Sequence, residues 1–84
     1  MTLPDKATLM AWCRVDDEEA GAVLEQLCAQ AAAYLTAAGV LLPEEDPRAE
    51  LALKALTLHW FDNPAGGDIP AGLQRLINQL KLTT

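Results

Sequence analysis

One histidine and two cysteines, His59, Cys13 and Cys28, have the side chains best suited to catalysis in this chain. A histidine can act as a general base near neutral pH, and a cysteine can act as a nucleophile when a neighbouring base activates its thiol. The one triad that can be assembled joins a cysteine to His59 and Asp62. The chain has no serine, and neither cysteine belongs to a catalytic motif. We therefore expect His59 to be structural and the protein not to be an enzyme.

The same residues match a metal or cofactor site poorly. Cys13 and Cys28 do not form a Cys-x-x-Cys pair, and one histidine cannot complete a zinc ligand set with them. The acidic run at 16–19 lacks the spaced ligands of a calcium loop, and Gly66 and Gly67 have no Walker lysine beside them. We predict no cofactor and interpret the cysteines as small apolar residues in a reducing cytosol.

The composition predicts a single all-α domain. Of the 84 residues, 51% are hydrophobic, and these are mainly alanine and leucine, which favour helices over strands. Twelve acidic residues against six basic ones give a net charge of -6, which argues against sequence-specific nucleic-acid binding. No targeting segment or membrane span is apparent, so we expect a soluble protein without a membrane partner, made in the cytoplasm.

Helix-terminating and helix-capping residues predict a compact bundle of about four helices, roughly at 3–13, 17–38, 47–62 and 70–81. In the first helix we expect Thr2 to be the N-cap, with Pro4 in the first turn. Asp5 lies three residues beyond Thr2, as in a capping box. Leu9 and Trp12 are expected to face inward.

The long second helix is predicted to begin at the cap Asp16 and to stop at Gly39. Helical spacing gives it an inward apolar stripe made of Val23, Leu24, Leu27, Ala31, Tyr34, Leu35 and Ala38. The helix is also rich in alanine. Alanine is explained either by its helix propensity or by a face on which another subunit packs closely, and the sequence leaves both explanations open.

The third helix is predicted to have Asp46 as its cap and Pro47 as its first residue. From 51 to 61 it is apolar on nearly every side, which is typical of a helix in the middle of a bundle or at an assembly interface. Pro64 ends it, and Gly66 and Gly67 make the following segment flexible. Pro70 then opens the last helix.

The order of these signals resembles the tailed-phage head-to-tail connector (head-tail adaptor) family, small helical proteins that dock under the portal. The resemblance rests on Cys-Arg-Val-Asp at 13–16, Tyr34 in an alanine-rich helix, His-Trp-Phe-Asp-Asn at 59–63 and Pro-Ala-Gly-Leu at 70–73. It covers nearly the whole chain. The chain differs from the family in its short loop after Asn63 and in lacking most of the C-terminal extension.

The resemblance implies a structural protein of the virion neck, from a phage or prophage, made in the bacterial host. Its copies would form a ring of about twelve-fold symmetry through which double-stranded DNA passes, with the portal and a tail-completion or stopper protein as partners. The family motif predicts core positions at Tyr34, His59, Trp60, Phe61, Pro70 and Leu73. The predicted assembly loop consists of Asn63, Pro64, Ala65, Gly66, Gly67, Asp68 and Ile69.

A different class of function also fits the acidic, helical composition. The chain could be a binding module, such as an inhibitor or an antitoxin-like partner of a basic protein. Such a module binds its target one to one and forms no ring.

Overall fold

A computed structural model describes residues 3–40, 47–63 and 68–83. Four α-helices follow one another in these ranges: α1 (Lys6–Cys13), α2 (Glu18–Ala37), α3 (Pro47–Asp62) and α4 (Ala71–Thr83). No strand occurs among the described residues. The predicted all-α bundle of four helices is confirmed. The predicted caps Thr2 and Asp46 lie outside the described residues.

The start of α1 differs from the prediction. Asp5 is the N-cap, and its carboxylate accepts a 2.8 Å hydrogen bond from the backbone N–H of Thr8. This bond lowers the pKa of Asp5, because it favours the charged form. Pro4 therefore precedes the helix rather than lying in its first turn. The prediction was wrong because Asp5 is itself a strong N-cap residue, and it lies three residues after Thr2, the cap that we expected.

The second helix begins one residue later than predicted, because Asp17 rather than Asp16 caps it. The Asp17 carboxylate accepts a hydrogen bond from the N–H of Glu19. Near this end α1 approaches α2 closely at Gly21, where an added Cβ would lie 2.7 Å from the sulfur of Met10. A side chain at position 21 would therefore require the Met10 and Lys6 side chains to move.

Both α1 and α2 end in the same Schellman arrangement. At the end of α2, Gly39 has φ 100°, its N–H donates to Thr36 O, and the N–H of Val40 donates to Leu35 O. The predicted stop at Gly39 is confirmed. At the end of α1 the left-handed position is filled by Arg14, with φ 57°. Arginine carries a Cβ that glycine lacks, so α1 ends at some cost in backbone strain.

The core lies where α3 packs against α2 on one side and α4 on another. Its largest members, all fully buried, are Leu9, Leu24, Leu35, Val40, Leu53, Leu56, Ile77 and Leu80. Thr57 is also buried, and its hydroxyl donates to Leu53 O at 2.7 Å, so no polar group of this side chain is left unsatisfied.

The predicted inward stripe of α2 is correct in its centre and wrong on one flank. Leu24, Ala31 and Leu35 are buried, whereas Val23 is 44% exposed and Tyr34 is 39% exposed. Cys28, which was not part of the predicted stripe, is also buried. A bundle with few helices covers a narrower strip of each helix than the apolar residues alone suggest.

Candidate functional site

An open groove lies where the end of α1, the second half of α3 and the start of α4 meet. Its volume is about 350 Å³. From α3 it is lined by Ala55, Leu58, His59 and Asp62, and from the other elements by Trp12, Asn63, Pro70 and Leu73. The lining is mostly apolar, with polar side chains at the C-terminal end of α3.

Trp12 forms one wall of the groove and is 39% exposed. We expected it in the core, so that prediction was wrong. Leu9, three residues earlier, takes the buried position that α1 offers. The amine of Lys54 lies 4.7 Å from the centroid of the Trp12 ring, within range of a cation–π interaction, and 3.7 Å from Glu50.

His59 lines the groove as a half-buried side chain whose ring is only partly satisfied. Asn63 Nδ2 donates to His59 O at 2.8 Å and lies 3.4 Å from His59 Nδ1. The other ring nitrogen, Nε2, is buried and has no hydrogen-bond partner among the residues that the structure describes. If Asn63 donates to Nδ1, that nitrogen is the acceptor and Nε2 carries the proton. The ring is therefore held at the end of α3 by Asn63.

The two thiols lack the features of catalytic nucleophiles. Burial raises the pKa of Cys13, and the nearby negative charge of Asp62 raises it further. Burial also raises the pKa of Cys28, although the Thr57 hydroxyl beside it acts in the opposite direction. Neither thiol is hydrogen-bonded to His59 in the described ranges. A catalytic cysteine needs a lowered pKa, and the pKa is raised at both of these thiols.

The family-motif residues do not form one buried set. Tyr34 is exposed and Pro70 is exposed, which contradicts their predicted place in the core. Trp60, Phe61 and Leu73 are half-buried and pack against the core. The Tyr34 and Trp60 rings meet edge to face, with centroids 5.7 Å apart. Tyr34 and Trp60 therefore pack against each other at the edge of the α2–α3 contact rather than at its centre.

The predicted assembly loop is described only at its two ends. Asn63 and Asp68 are exposed, whereas Ile69 is half-buried and packs against the core. Ile69 is thus an anchor for α4 rather than part of a free loop. Residues 64–67 lie outside the described ranges.

A second surface stands out on α2 because it carries so little charge. Between residues 22 and 37 its exposed side chains are Ala22, Val23, Glu25, Gln26, Ala29, Gln30, Ala33, Tyr34, Thr36 and Ala37. Glu25 is the one charged residue in this list. We call these positions the α2 outer face. The alanines that the sequence left unexplained lie partly on this face and partly in the core, as Ala31 does.

The groove was missed from the sequence because its residues come from three separate segments. The available signal was the surplus of apolar residues on α3, which includes Ala55 and Leu58.

Within the described ranges, no group of three or more His, Cys, Asp and Glu side chains is placed to hold a metal ion. None of the described helices has both the length and the apolarity that crossing a membrane requires. No family model, curated protein or solved structure matches the chain.

Proposed function

We propose that the protein is a head-to-tail connector subunit of a tailed phage or prophage, which forms a ring under the portal through which double-stranded DNA passes. The observation that carries the proposal is the α2 outer face, a long and nearly uncharged surface on a protein whose net charge is -6. Solvent-exposed helices usually place charged residues on their outer side. A face of small, uncharged side chains suits close packing of another helix.

A closed ring needs two different contact surfaces on each subunit, because each copy meets its two neighbours head to tail. The α2 outer face supplies one surface. The outer side of α3 supplies a candidate for the second, since Leu51 is 44% exposed there. The sequence resemblance and the order of the four helices support the same proposal.

The negative charge of the chain is compatible with a channel for DNA. A wall with neutral or negative charge does not hold phosphates, so DNA can slide past it. In this proposal the partners of the chain are other copies of itself, the portal, and a tail-completion or stopper protein, and its location is the neck of the virion.

Sedimentation velocity over a range of protein concentrations tests the proposal. The wild-type chain should sediment as a large assembly at high concentration. Ala33→Glu places a charge in the α2 outer face, so it should keep the chain monomeric. Ala7→Glu adds the same charge at an exposed position of α1 and should assemble like the wild type.

Equal behaviour of the two variants would count against the α2 outer face as the contact surface. A wild-type chain that stays monomeric at every concentration, with or without a portal protein, would overturn the proposal. Circular dichroism of both variants keeps the test interpretable, because both positions are exposed and both folds should be intact.

The acidic binding module stays as a second candidate because of the exposed carboxylates that precede and open α2. Asp16, Asp17, Glu18 and Glu19 are all exposed, and of these Glu18 forms an ion pair with Lys6. Such a cluster suits a basic target protein. A tight one-to-one complex with a basic protein, and no ring, would favour this candidate.

A further inference from the structure

We propose that the groove beside Trp12 is a docking site for a basic, apolar helical segment of another protein. The segment would place a leucine-like side chain in the groove and an arginine or lysine, within one helical turn of it, against Asp62. This inference does not depend on ring formation, since it concerns the surface of a single subunit.

The shape and lining of the groove suit a side chain. Its floor and walls come from Ala55, Leu58, Leu73 and the ring of Trp12. Its volume of about 350 Å³ is near the lower end of the 300 to 1,000 Å³ typical of small-molecule sites, so it has room for one or two side chains. Burying an apolar side chain there would also remove the exposed part of the Trp12 ring from water.

The charge at the groove selects for a basic partner. Asp62 is exposed and makes no ion pair among the described residues. Lys54, the base that contacts Trp12, is already engaged by Glu50 and by the Trp12 ring. The unpaired charge at the groove is therefore negative. A cation of the partner could pair with Asp62, whereas a second copy of the chain would bring a net charge of -6 towards it.

The residue types also match those that dominate binding energy at protein interfaces. Tryptophan and arginine are enriched among interface hot spots, which lie in pockets that lose their water on binding. Here the tryptophan is supplied by the groove and the cation by the partner. The exposed side chain of Asn63 stands at the rim, where a hydrogen bond to the partner's backbone would fix its orientation.

The test uses a set of synthetic helical peptides about 15 residues long, the length at which isolated helices begin to form. Each carries one leucine and one arginine at a different spacing within one turn, on a background of alanine and glutamine. A matched set carries neutral citrulline in place of arginine. The readout is the indole N–H signal of Trp12 in NMR spectra, assigned by its loss in Trp12→Phe and compared with that of Trp60.

We expect at least one leucine–arginine peptide to shift the Trp12 signal and leave the Trp60 signal in place. Its citrulline counterpart should bind at least about fivefold more weakly. Asp62→Asn should weaken the arginine peptide about fivefold, whereas Glu25→Gln, which removes one negative charge from α2, should change the affinity less than about twofold. Both acids are exposed, so both variants should fold.

Three results would overturn the inference. The first is that no peptide of the set shifts the Trp12 signal at millimolar concentration. The second is that Asp62→Asn and Glu25→Gln weaken binding equally, which would indicate attraction to the net charge alone. The third is that the Trp12 signal of Ala33→Glu, the variant expected to stay monomeric, shifts when that variant is concentrated without peptide, which would show that a second copy fills the groove. Sedimentation of the α2 variants is unaffected by these results, so this inference and the connector proposal fail separately.

Discussion

The two sides of α3 differ in how completely the bundle covers them. Towards α2, Leu53 and Leu56 meet a long helix and have no exposed surface. Towards α1, Ala55 and Leu58 line an open groove. The reason is length, since α1 has 8 residues, α2 has 20 and α3 has 16. A helix rises about 1.5 Å per residue, so α1 can cover only about half of α3. A short helix therefore leaves part of α3 uncovered.

The largest expected difference between the two sides is in stability. Leu56→Ala should lower the free energy of unfolding by about 3 kcal/mol, because it leaves a cavity in a fully buried position. Leu58→Ala should cost only about 1 kcal/mol, because Leu58 already borders the groove. Urea denaturation of the two variants measures both values. Equal losses would mean that α3 is covered alike on both sides.

The two tryptophans should show the same contrast. Trp60 packs against the core and meets the Tyr34 ring edge to face, so we expect Trp60→Ala to cost about 2 to 3 kcal/mol. Trp12→Ala should cost about 1 kcal/mol or less, since its ring is partly in solvent and loses mainly the contact with Lys54. Thermal unfolding followed by circular dichroism compares them. A larger loss at Trp12 would place that ring in the structural core.

The reactivity of the two cysteines should show the same difference between the α1 side and the α2 side of α3. Cys28 is buried in α2, whereas Cys13 is only half-buried near Asp62. A thiol reagent should modify Cys13 at least about tenfold faster, because Cys28 reacts only after local opening. The pKa of Cys13 is raised, so its rate should increase as the pH rises.

The Asp62→Asn variant separates the cause of the Cys13 reactivity from simple exposure. Removing the negative charge should lower the pKa of Cys13 and raise its rate at a fixed pH, while the rate of Cys28 stays the same. Labelling followed by mass spectrometry of peptides distinguishes the two sites. Faster modification of Cys28 than of Cys13 would contradict the difference in packing.

The smallest expected effect concerns the ends of α1 and α2. Arg14→Gly should raise the free energy of unfolding by about 1 kcal/mol, because glycine adopts a left-handed conformation without strain. Gly39→Ala should lower it by a similar amount, since its φ of 100° disfavours a Cβ even though the surrounding space is open. Urea denaturation tests both. If Arg14→Gly lowered the free energy of unfolding, the arginine side chain would contribute more to stability than the strained backbone costs.

The helices could be predicted because their signals are local. Gly39 acts within one turn of the chain, and apolar spacing places Leu24 and Leu35 in the core whatever packs against them. The start of α1 was predicted wrongly because both Thr2 and Asp5 are residue types that cap helices. Local pattern cannot settle such a competition, which depends on where the chain enters the bundle.

The groove could not be predicted, because it depends on how far one helix extends along another. Trp12 and Leu9 lie on the same side of α1 by spacing alone, yet only Leu9 reaches the core. The exposure of Tyr34 has the same origin, since it lies at the edge of the α2–α3 contact. The exposure of Trp12 and of Tyr34 depends on how many other helices cover that part of the helix, which is a property of the tertiary structure.

Electron microscopy of the chain mixed with a tailed-phage portal protein tests the connector proposal most directly. We predict closed rings with a central channel, attached coaxially to the portal, and no such rings when the chain carries Ala33→Glu. Portal particles without added density, together with a chain that stays monomeric in the same sample, would contradict the proposal.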